Sequence, residues 1–351
     1  MPSNNSDYPK LLRQFFKLSG DAKLELQSFL RLDLKPTKNF AGDCYPIEDD
    51  LVLGEPNFAG SMHWTLGQSI VPIVELSTDR RSVRCLGTGF YIHTNGLMLT
   101  AAHVLQDFFD RAKEAPYDLD IERIIKEEGP SRLGVMLKYN QLFGDNAFEF
   151  LPIRWAHVFA GPDSEVYPWR KIKPKFVVDV AVCQTFGSQS GKLFQPLPII
   201  QPGIKGFGTF VGRQVFAIGY GQMQDFTTIE GTDSGEMNFV PYLTRGNVTK
   251  RLPNNHIDKQ VLSPGPCFQL AAKVPSGMSG SPVSDAEGIY VHGLASTGWQ
   301  GVNGTLESDS CCSMIAPICE LPLGALGGKS IYDMLADQNG GMVKIFAPGD
   351  M

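Results

Sequence analysis

The sequence predicts an all-β fold, and three observations support this prediction. The 351 residues include 37 glycines and 24 prolines, which favour many turns. Hydrophobic residues make up 42% of the chain and charged residues 19%, as in a globular protein rich in strands. Short apolar runs bounded by turn residues recur along most of the chain. The length is sufficient for two compact domains.

An Asn-Gly turn between two apolar runs predicts a β-hairpin. The runs span residues 87–93 and 97–102, and the residues 94–96 that link them are Thr-Asn-Gly. Asn-Gly is favoured in tight hairpin turns because both residues tolerate positive φ. His103 follows the second run directly, so the sequence places this histidine just past a strand end.

A carboxylate interrupts another apolar run. Residues 176–182 read Phe-Val-Val-Asp-Val-Ala-Val, with Asp179 at the centre. A buried, unpaired carboxylate is costly, so Asp179 requires a partner. The Nδ1 atom of His103 would serve as that hydrogen-bond partner.

Residues 275–283 read Pro-Ser-Gly-Met-Ser-Gly-Ser-Pro-Val and enclose a serine between glycines. Glycine lets the backbone turn tightly and leaves the Ser279 hydroxyl uncovered. The amides of Gly277 and Ser279 could then point at the place where an oxyanion develops if Ser279 attacks a carbonyl. Read alone, the run also fits a loop that merely connects two strands. Ser281 is a rival nucleophile that ranks lower because a proline follows it.

The three runs resemble the histidine, aspartate and serine motifs of chymotrypsin-like serine proteases. Thr-Ala-Ala-His, Asp-Val-Ala-Val and Gly-Met-Ser-Gly-Ser-Pro-Val occur in the order of that family. Subtilisins and α/β-hydrolases use the same chemistry in a different order. Within the family, the Ser-Gly-Ser-Pro-Val run is most similar to bacterial glutamyl endopeptidases and HtrA-type proteases. Too few residues follow the last expected strand for the PDZ domain of HtrA proteins.

The resemblance implies a chymotrypsin-like double barrel of two six-stranded antiparallel β-barrels. The first barrel's strands are expected near 69–76, 83–94, 97–102, 132–140, 148–160 and 176–185. Those of the second are expected near 213–220, 237–250, 267–274, 281–284, 288–296 and 312–318. The expected division is a helical extension and linker at 1–62, the N-terminal barrel at 63–185, a connection at 186–212 and the C-terminal barrel at 213–351. A terminal helix is expected at 330–338.

Two segments outside the barrels have helical spacing of their apolar residues. Residues 7–33 predict two helices, which either pack on the protein body or, within 1–33, dock a protein partner or a second subunit. Residues 106–131 lengthen the distance between His103 and Asp179. The helical spacing at 106–110 and 121–126 predicts one or two surface helices there, near the cleft.

The resemblance implies a serine endopeptidase that acts on protein or peptide substrates without a cofactor. Ser279 would be the nucleophile, His103 the general base, and Asp179 the residue that orients the histidine. Gly277 and Ser279 would supply the oxyanion hole. The alternative is a non-catalytic protease fold used as a binding module, whose usual mark is the loss of a triad residue.

The resemblance also implies a substrate pocket. Its expected residues are Lys273, Ser276, Ala295, Ser296 and Gly298. Ser296 would also support Asp179. Lys273 stands where trypsin has its pocket-floor aspartate, so it either favours an acidic substrate side chain or simply faces solvent. Glutamyl endopeptidases have a histidine where this chain has Ala295, so that support for an acidic preference is missing.

The absence of a secretory signal and the scattered cysteines predict a cytoplasmic protein. A net charge of −6 and a pI of about 5.6 argue against a nucleic-acid-binding face. No apolar run approaches the length that spans a bilayer, and the first residues do not form a secretory signal. The seven cysteines predict free thiols. Cys311, Cys312 and Cys319 lack zinc-finger spacing, so no metal is expected.

Met278 stands where trypsin-like zymogens carry the aspartate that pairs with a new N-terminus. No Arg-Ile-Val-Gly-Gly cleavage site is present in the chain. We therefore expect no activation of the trypsin type; control would come from a loop rearrangement, a partner or assembly.

Overall fold

The computed structural model confirms the all-β prediction. It describes residues 68–77, 82–106, 122–125, 133–138, 148–160, 176–186, 194–199, 211–221, 226–227, 241–252, 263, 266–285, 290–300 and 306–337. The predicted helical extension at 1–62 and most of 106–131 lie outside these residues.

The described residues form fourteen strands and a few short helices. The strands are β1 (Ile70–Leu76), β2 (Ser82–Tyr91), β3 (Leu97–Thr100), β4 (Glu122–Ile125), β5 (Leu133–Lys138), β6 (Phe148–Ala160), β7 (Phe176–Thr185), β8 (Gln214–Tyr220), β9 (Phe226–Thr227), β10 (Pro241–Leu252), β11 (Cys267–Leu270), β12 (Pro282–Asp285), β13 (Val291–Gln300) and β14 (Leu306–Met314). The α-helices are α1 (Ala316–Cys319) and α2 (Ile331–Asp337), and the 3₁₀ helices are Ala102–Leu105 and Gly324–Leu326.

Twelve of these strands close into two six-stranded antiparallel barrels, which confirms the predicted double barrel. The first barrel has the order β1-β5-β6-β7-β3-β2, and β2 pairs back with β1. The second has the order β10-β11-β14-β13-β12-β8, and β8 pairs back with β10. Of the remaining strands, β4 pairs with β6, and β9 pairs with β2 although it follows β8 in the chain.

The predicted hairpin is present between β2 and β3. Gly96 has a φ of 89°, a conformation that a side chain would strain. The Asn95 side chain accepts a hydrogen bond from the Leu97 amide at 3.1 Å, which closes the turn. The turn therefore lets β3 pair with β2 in the barrel and fixes the position of His103, which follows β3.

One predicted element is wrong, and one predicted strand ends earlier than expected. The helix predicted over 121–126 is instead strand β4, whose backbone pairs with the long strand β6. A short apolar run does not distinguish helix from strand, and the partner strand decides. The strand predicted over 312–318 ends at Met314, and α1 follows with Pro317 in its first turn. Proline is tolerated in the first turn of a helix but cannot donate to a central ladder, so the residues around Pro317 favour the helix over a longer strand.

Strand β8 joins the cores of the two barrels. Its side chains alternate between two faces, as strand geometry requires. Val215 and Ala217 pack inside the second barrel, in a cluster that also holds Met278. Phe216 and Ile218 belong to a second buried cluster that continues through the first barrel. The barrels are therefore packed against each other along an apolar interface.

The loop before β12 meets the first barrel at Gly280, which leads to a stability prediction. Gly280 has a φ of 88°, and an added Cβ would overlap the Thr88 carbonyl oxygen and the Thr100 hydroxyl. Gly212 has a similar φ of 87° but open space around it. We expect Gly212→Ala to lower the free energy of unfolding by about 1 kcal/mol through backbone strain alone. Gly280→Ala should lower it by about 3 kcal/mol because overpacking adds to that strain.

Urea unfolding followed by circular dichroism measures both losses. Equal losses in the two variants would mean that the close approach of the two barrels at Gly280 contributes nothing beyond its backbone conformation.

Candidate active site

The three residues singled out from the sequence meet where the two barrels face each other. His103 lies in the 3₁₀ helix after β3, Asp179 lies in β7, and Ser279 lies in the loop before β12. β3 and β7 are neighbours, with Thr100 opposite Ala181. This pairing brings the residues just past the end of β3 beside Asp179.

Asp179 is fully buried and holds His103 through both carboxylate oxygens. Its Oδ2 lies 2.7 Å from Nδ1 of the His103 ring, and its Oδ1 accepts the His103 backbone amide at 2.8 Å. The His103 side chain keeps 27% of its surface exposed. The carboxylate thus fixes the orientation of a ring whose other edge can reach solvent or a ligand.

A third hydrogen bond to the same carboxylate comes from the second barrel. The Ser296 hydroxyl donates to Oδ2 of Asp179. Burial alone would raise the pKa of Asp179, but the charge of His103 and the hydrogen bonds from His103 and Ser296 outweigh it. The pKa of Asp179 is therefore held well below its ordinary value, and the group stays ionised at neutral pH.

Ser279 is tied to the same residue of the second barrel. Its hydroxyl donates to the Ser296 carbonyl oxygen at 3.0 Å. Ser296 thus contacts Asp179 through its side chain and Ser279 through its backbone. One strand residue therefore relates the positions of the candidate nucleophile and the candidate orienting carboxylate.

The loop before Ser279 forms a tight turn that includes two amides without an acceptor among the described residues. The Met278 amide donates to the Pro275 carbonyl at 3.2 Å, and Gly277 has a φ of 92° at the third turn position. These features define a type II turn. Within the described residues, neither the Gly277 nor the Ser279 amide has an acceptor. Both amides are therefore available to a bound oxygen atom.

Met278 and Ser281, on either side of Ser279, are buried. Met278 is fully buried among apolar residues of the second barrel, which anchors the loop. Ser281, the rival nucleophile, is also fully buried, and its hydroxyl has no partner among the described residues. A buried hydroxyl cannot reach an external substrate, so of the two rival serines Ser279 is the accessible one.

The residues expected to line a pocket differ in exposure. Lys273 and Ser276 are exposed, whereas Ala295 and Ser296 are buried. Gly298 lies in β13 opposite Ser310 of β14. The exposure of Lys273 favours the solvent-facing alternative.

Sequence reasoning missed Ser310. The buried Ser310 hydroxyl accepts the Val274 amide at 2.8 Å, which ties the start of the Ser279 loop to β14. A serine in a strand carries no signal that such a partner lies far away in the chain.

Sequence reasoning also missed Thr88, a fully buried residue of β2. Its backbone amide donates to the Ser279 carbonyl at 2.8 Å, and its hydroxyl donates to the Gly277 carbonyl at 3.1 Å. The available signal was its position between Gly87 and Gly89, because glycines inside a strand mark close approach of another backbone.

A buried aspartate bonded to a partly exposed histidine, beside a serine in a glycine-bounded turn on paired β-barrels, is the arrangement of serine-protease folds. The family model for the trypsin-like peptidase domain matches residues 87–291, more than half of the chain. The chain therefore belongs to the trypsin-like peptidase family. A search of curated proteins returned no match.

Solved structures similar to this chain include two proteases. One is the MamO protease domain from Magnetospirillum magneticum in its apo form, with a TM-score of 0.40 and 14% identity, covering 72% of this chain and 95% of that chain. The other is the serine endoprotease from Yersinia pestis, with a TM-score of 0.38 and 14% identity, covering 78% of this chain and 66% of that chain.

The described part of the chain contains no group of three or more histidine, cysteine, aspartate and glutamate residues that could hold a metal ion. None of the helices in those ranges is long and apolar enough to cross a bilayer.

The lowered pKa of Asp179 predicts an acid-dependent contribution to stability. Between the depressed native pKa and the ordinary value near about 4, the unfolded chain binds a proton that the native chain does not. The contribution is therefore complete above about pH 4 and is lost as the pH falls through the native pKa. The difference in free energy of unfolding between wild type and Asp179→Asn should shrink on acidification from about pH 6 to about pH 3.

Urea unfolding at several pH values measures that difference. A difference that stays constant over this range would show that the Asp179 pKa is the same in the folded and unfolded chains.

Proposed function

We propose that the protein is a serine endopeptidase in which Ser279, His103 and Asp179 form the catalytic triad. One observation carries the proposal. The buried Asp179 carboxylate is bonded to His103 on one side and to Ser296 on the other, and the Ser296 carbonyl holds the Ser279 hydroxyl. A single hydrogen-bonded set thus contains a nucleophile, a base and an orienting carboxylate.

The proposed reaction is acyl transfer through Ser279. The Ser279 hydroxyl leaves the Ser296 carbonyl, donates to Nε2 of His103 and attacks the peptide carbonyl carbon. His103 takes the proton and passes it to the leaving amine as the carbon–nitrogen bond breaks. Asp179 keeps the proton of the neutral ring on Nδ1 and stabilises the charged ring. Water, activated by His103, then hydrolyses the acyl-enzyme.

The Gly277 and Ser279 amides would hold the oxyanion of each tetrahedral intermediate. The type II turn and the absence of an acceptor among the described residues support this role. Each such donor contributes on the order of 10²–10³ in rate in related chemistry.

We infer restricted specificity and a place near the glutamyl endopeptidase and HtrA-type branch. The Ser-Gly-Ser-Pro-Val run supports this branch. Ala295 departs from it, because glutamyl endopeptidases have a histidine at that position. The exposed Lys273 gives no support to an acidic preference. Substrates would be proteins or peptides.

We also propose that the loop is ordered without the ion pair that trypsin-like zymogens acquire on activation. The buried Met278 supports this, since its side chain is held by apolar contacts in the second barrel. Any gating would then act elsewhere, for example through a partner bound at residues 1–33.

A fluorophosphonate probe tests the proposed function. Wild type should be labelled at Ser279, whereas Ser279→Ala and His103→Ala should not be labelled measurably, because loss of either residue costs about 10⁶ in kcat in such triads. Ser281→Ala is the matched control, since its serine lies in the same run but is buried. It should label like wild type. Gel fluorescence and mass spectrometry of the labelled peptide provide the readout.

A form lacking residues 1–33 separates the remaining outcomes of the probe experiment. Labelling only after this deletion would identify a gated enzyme. Absence of labelling in every form, with intact folding by circular dichroism, would overturn the proposal in favour of the non-catalytic binding module.

Substitution of Lys273 tests the acidic preference. If Lys273 faces solvent, Lys273→Met should change the ratio of kcat/KM for glutamate and leucine before the scissile bond by less than about fivefold. A lysine paired with a buried substrate carboxylate would instead produce a change of about 30-fold or more. Lys250→Met removes the same charge from another exposed residue and serves as the control.

A further inference from the structure

We propose that Thr88 is a positioning residue for the oxyanion hole, acting through its hydroxyl across the barrel interface. The inference rests on the proposed function, because it concerns the two amides that would bind the oxyanion. Thr88 belongs to the first barrel, and the loop it holds belongs to the second.

The Thr88 hydroxyl bridges two segments of the second barrel. It accepts the Tyr220 amide at 3.0 Å and donates to the Gly277 carbonyl at 3.1 Å. The Tyr220 carbonyl lies farther away, at 3.4 Å, so Gly277 is the better acceptor for the single proton. The hydroxyl thus fixes the loop relative to the end of β8.

These contacts determine where the loop amides point. The peptide between residues 277 and 278 is held at its carbonyl by Thr88 and at its amide by Pro275. The peptide between 279 and 280 is held at its carbonyl by the Thr88 amide and at its amide by the Ala295 carbonyl.

The peptide between these two carries the Ser279 amide. Its carbonyl, from Met278, accepts the Ser281 amide at 2.9 Å. Because a trans peptide is planar, its N–H points the opposite way. The carbonyls and amides of these three peptides therefore have partners within the protein except the Ser279 amide, which is left for the oxyanion.

The residues around Thr88 allow its close contact with the Ser279 loop. A Cβ at Gly87 would lie 2.8 Å from the Ser279 carbonyl oxygen, so a larger residue would push the loop away. The Thr88 carbonyl accepts the Thr100 hydroxyl at 2.7 Å, and Thr100 lies three residues before His103. Thr88 therefore relates the His103 segment to the Ser279 loop.

Labelling kinetics with a fluorophosphonate probe test the proposal, because phosphonylation of Ser279 also places an oxygen in the oxyanion hole. Thr88→Val keeps the side-chain shape and removes the hydroxyl. Its maximal inactivation rate should fall by about 10- to 100-fold. This is a smaller decrease than complete removal of one oxyanion donor would cause, because the Ser279 amide is misplaced rather than absent. The probe concentration at half-maximal rate should change little. The pH midpoint of labelling should stay unchanged, since His103 and Asp179 are untouched.

Three further variants keep the test decisive. Thr88→Ser retains the hydroxyl and should label at the wild-type rate. Thr88→Cys, with a weak donor, should be slow, and it replaces Thr88→Val if that variant does not fold. Thr185→Val removes a buried hydroxyl at the far end of β7 and should lose stability without losing labelling rate.

The outcomes separate this inference from the proposed function. Wild-type labelling rates in folded Thr88→Val or Thr88→Cys would overturn the role of Thr88 and leave the proposed function intact. Slow labelling of Thr88→Ser would also overturn the role of Thr88, because a variant that keeps the hydroxyl would then have lost labelling rate for another reason. An unlabelled wild type would overturn both.

Discussion

The geometry of the site depends on one buried charge, the carboxylate of Asp179. A charge that is buried away from water requires hydrogen-bond donors. The Asp179 carboxylate has three of them, two from His103 in the first barrel and one from Ser296 in the second. The His103 ring and amide reach it from the segment after β3, and the Ser296 hydroxyl reaches it from the other barrel. Hydrogen bonds to a charged group contribute about 1.5–3 kcal/mol each, so displacing either barrel carries an energetic cost at this point.

The Ser279 loop is constrained in a complementary way, by contacts that carry no formal charge. Met278 is held inside the second barrel, while Thr88 reaches across from the first and holds two carbonyl oxygens of the loop. The interface between the barrels therefore determines the relative positions of the residues at the site. It aligns the His103 ring, fixed in one barrel, with the Ser279 hydroxyl and two loop amides fixed in the other.

The sequence predicted those parts of the molecule that leave a local pattern. Apolar runs and the Asn-Gly turn were sufficient for the all-β prediction. The end of a strand, an aspartate isolated in an apolar strand and a serine between glycines selected His103, Asp179 and Ser279, and the double barrel followed from the resemblance of these three motifs to a known family. What it missed depends on distant partners. Strand β4 exists because β6 offers an edge, and Thr88 resembles any strand threonine until the loop near Ser279 is packed against it.

The two sets of constraints converge on Ser296. Its hydroxyl belongs to the environment of the buried charge, and its carbonyl holds the Ser279 hydroxyl. A shift of β13 would therefore disturb both the carboxylate and the serine together, rather than one of them. In the proposed mechanism the serine must exchange its bond to Ser296 for one to His103, and both of these partners are themselves bonded to Asp179. The exchange thus takes place between groups fixed to the same buried carboxylate, which keeps the serine within reach of its base.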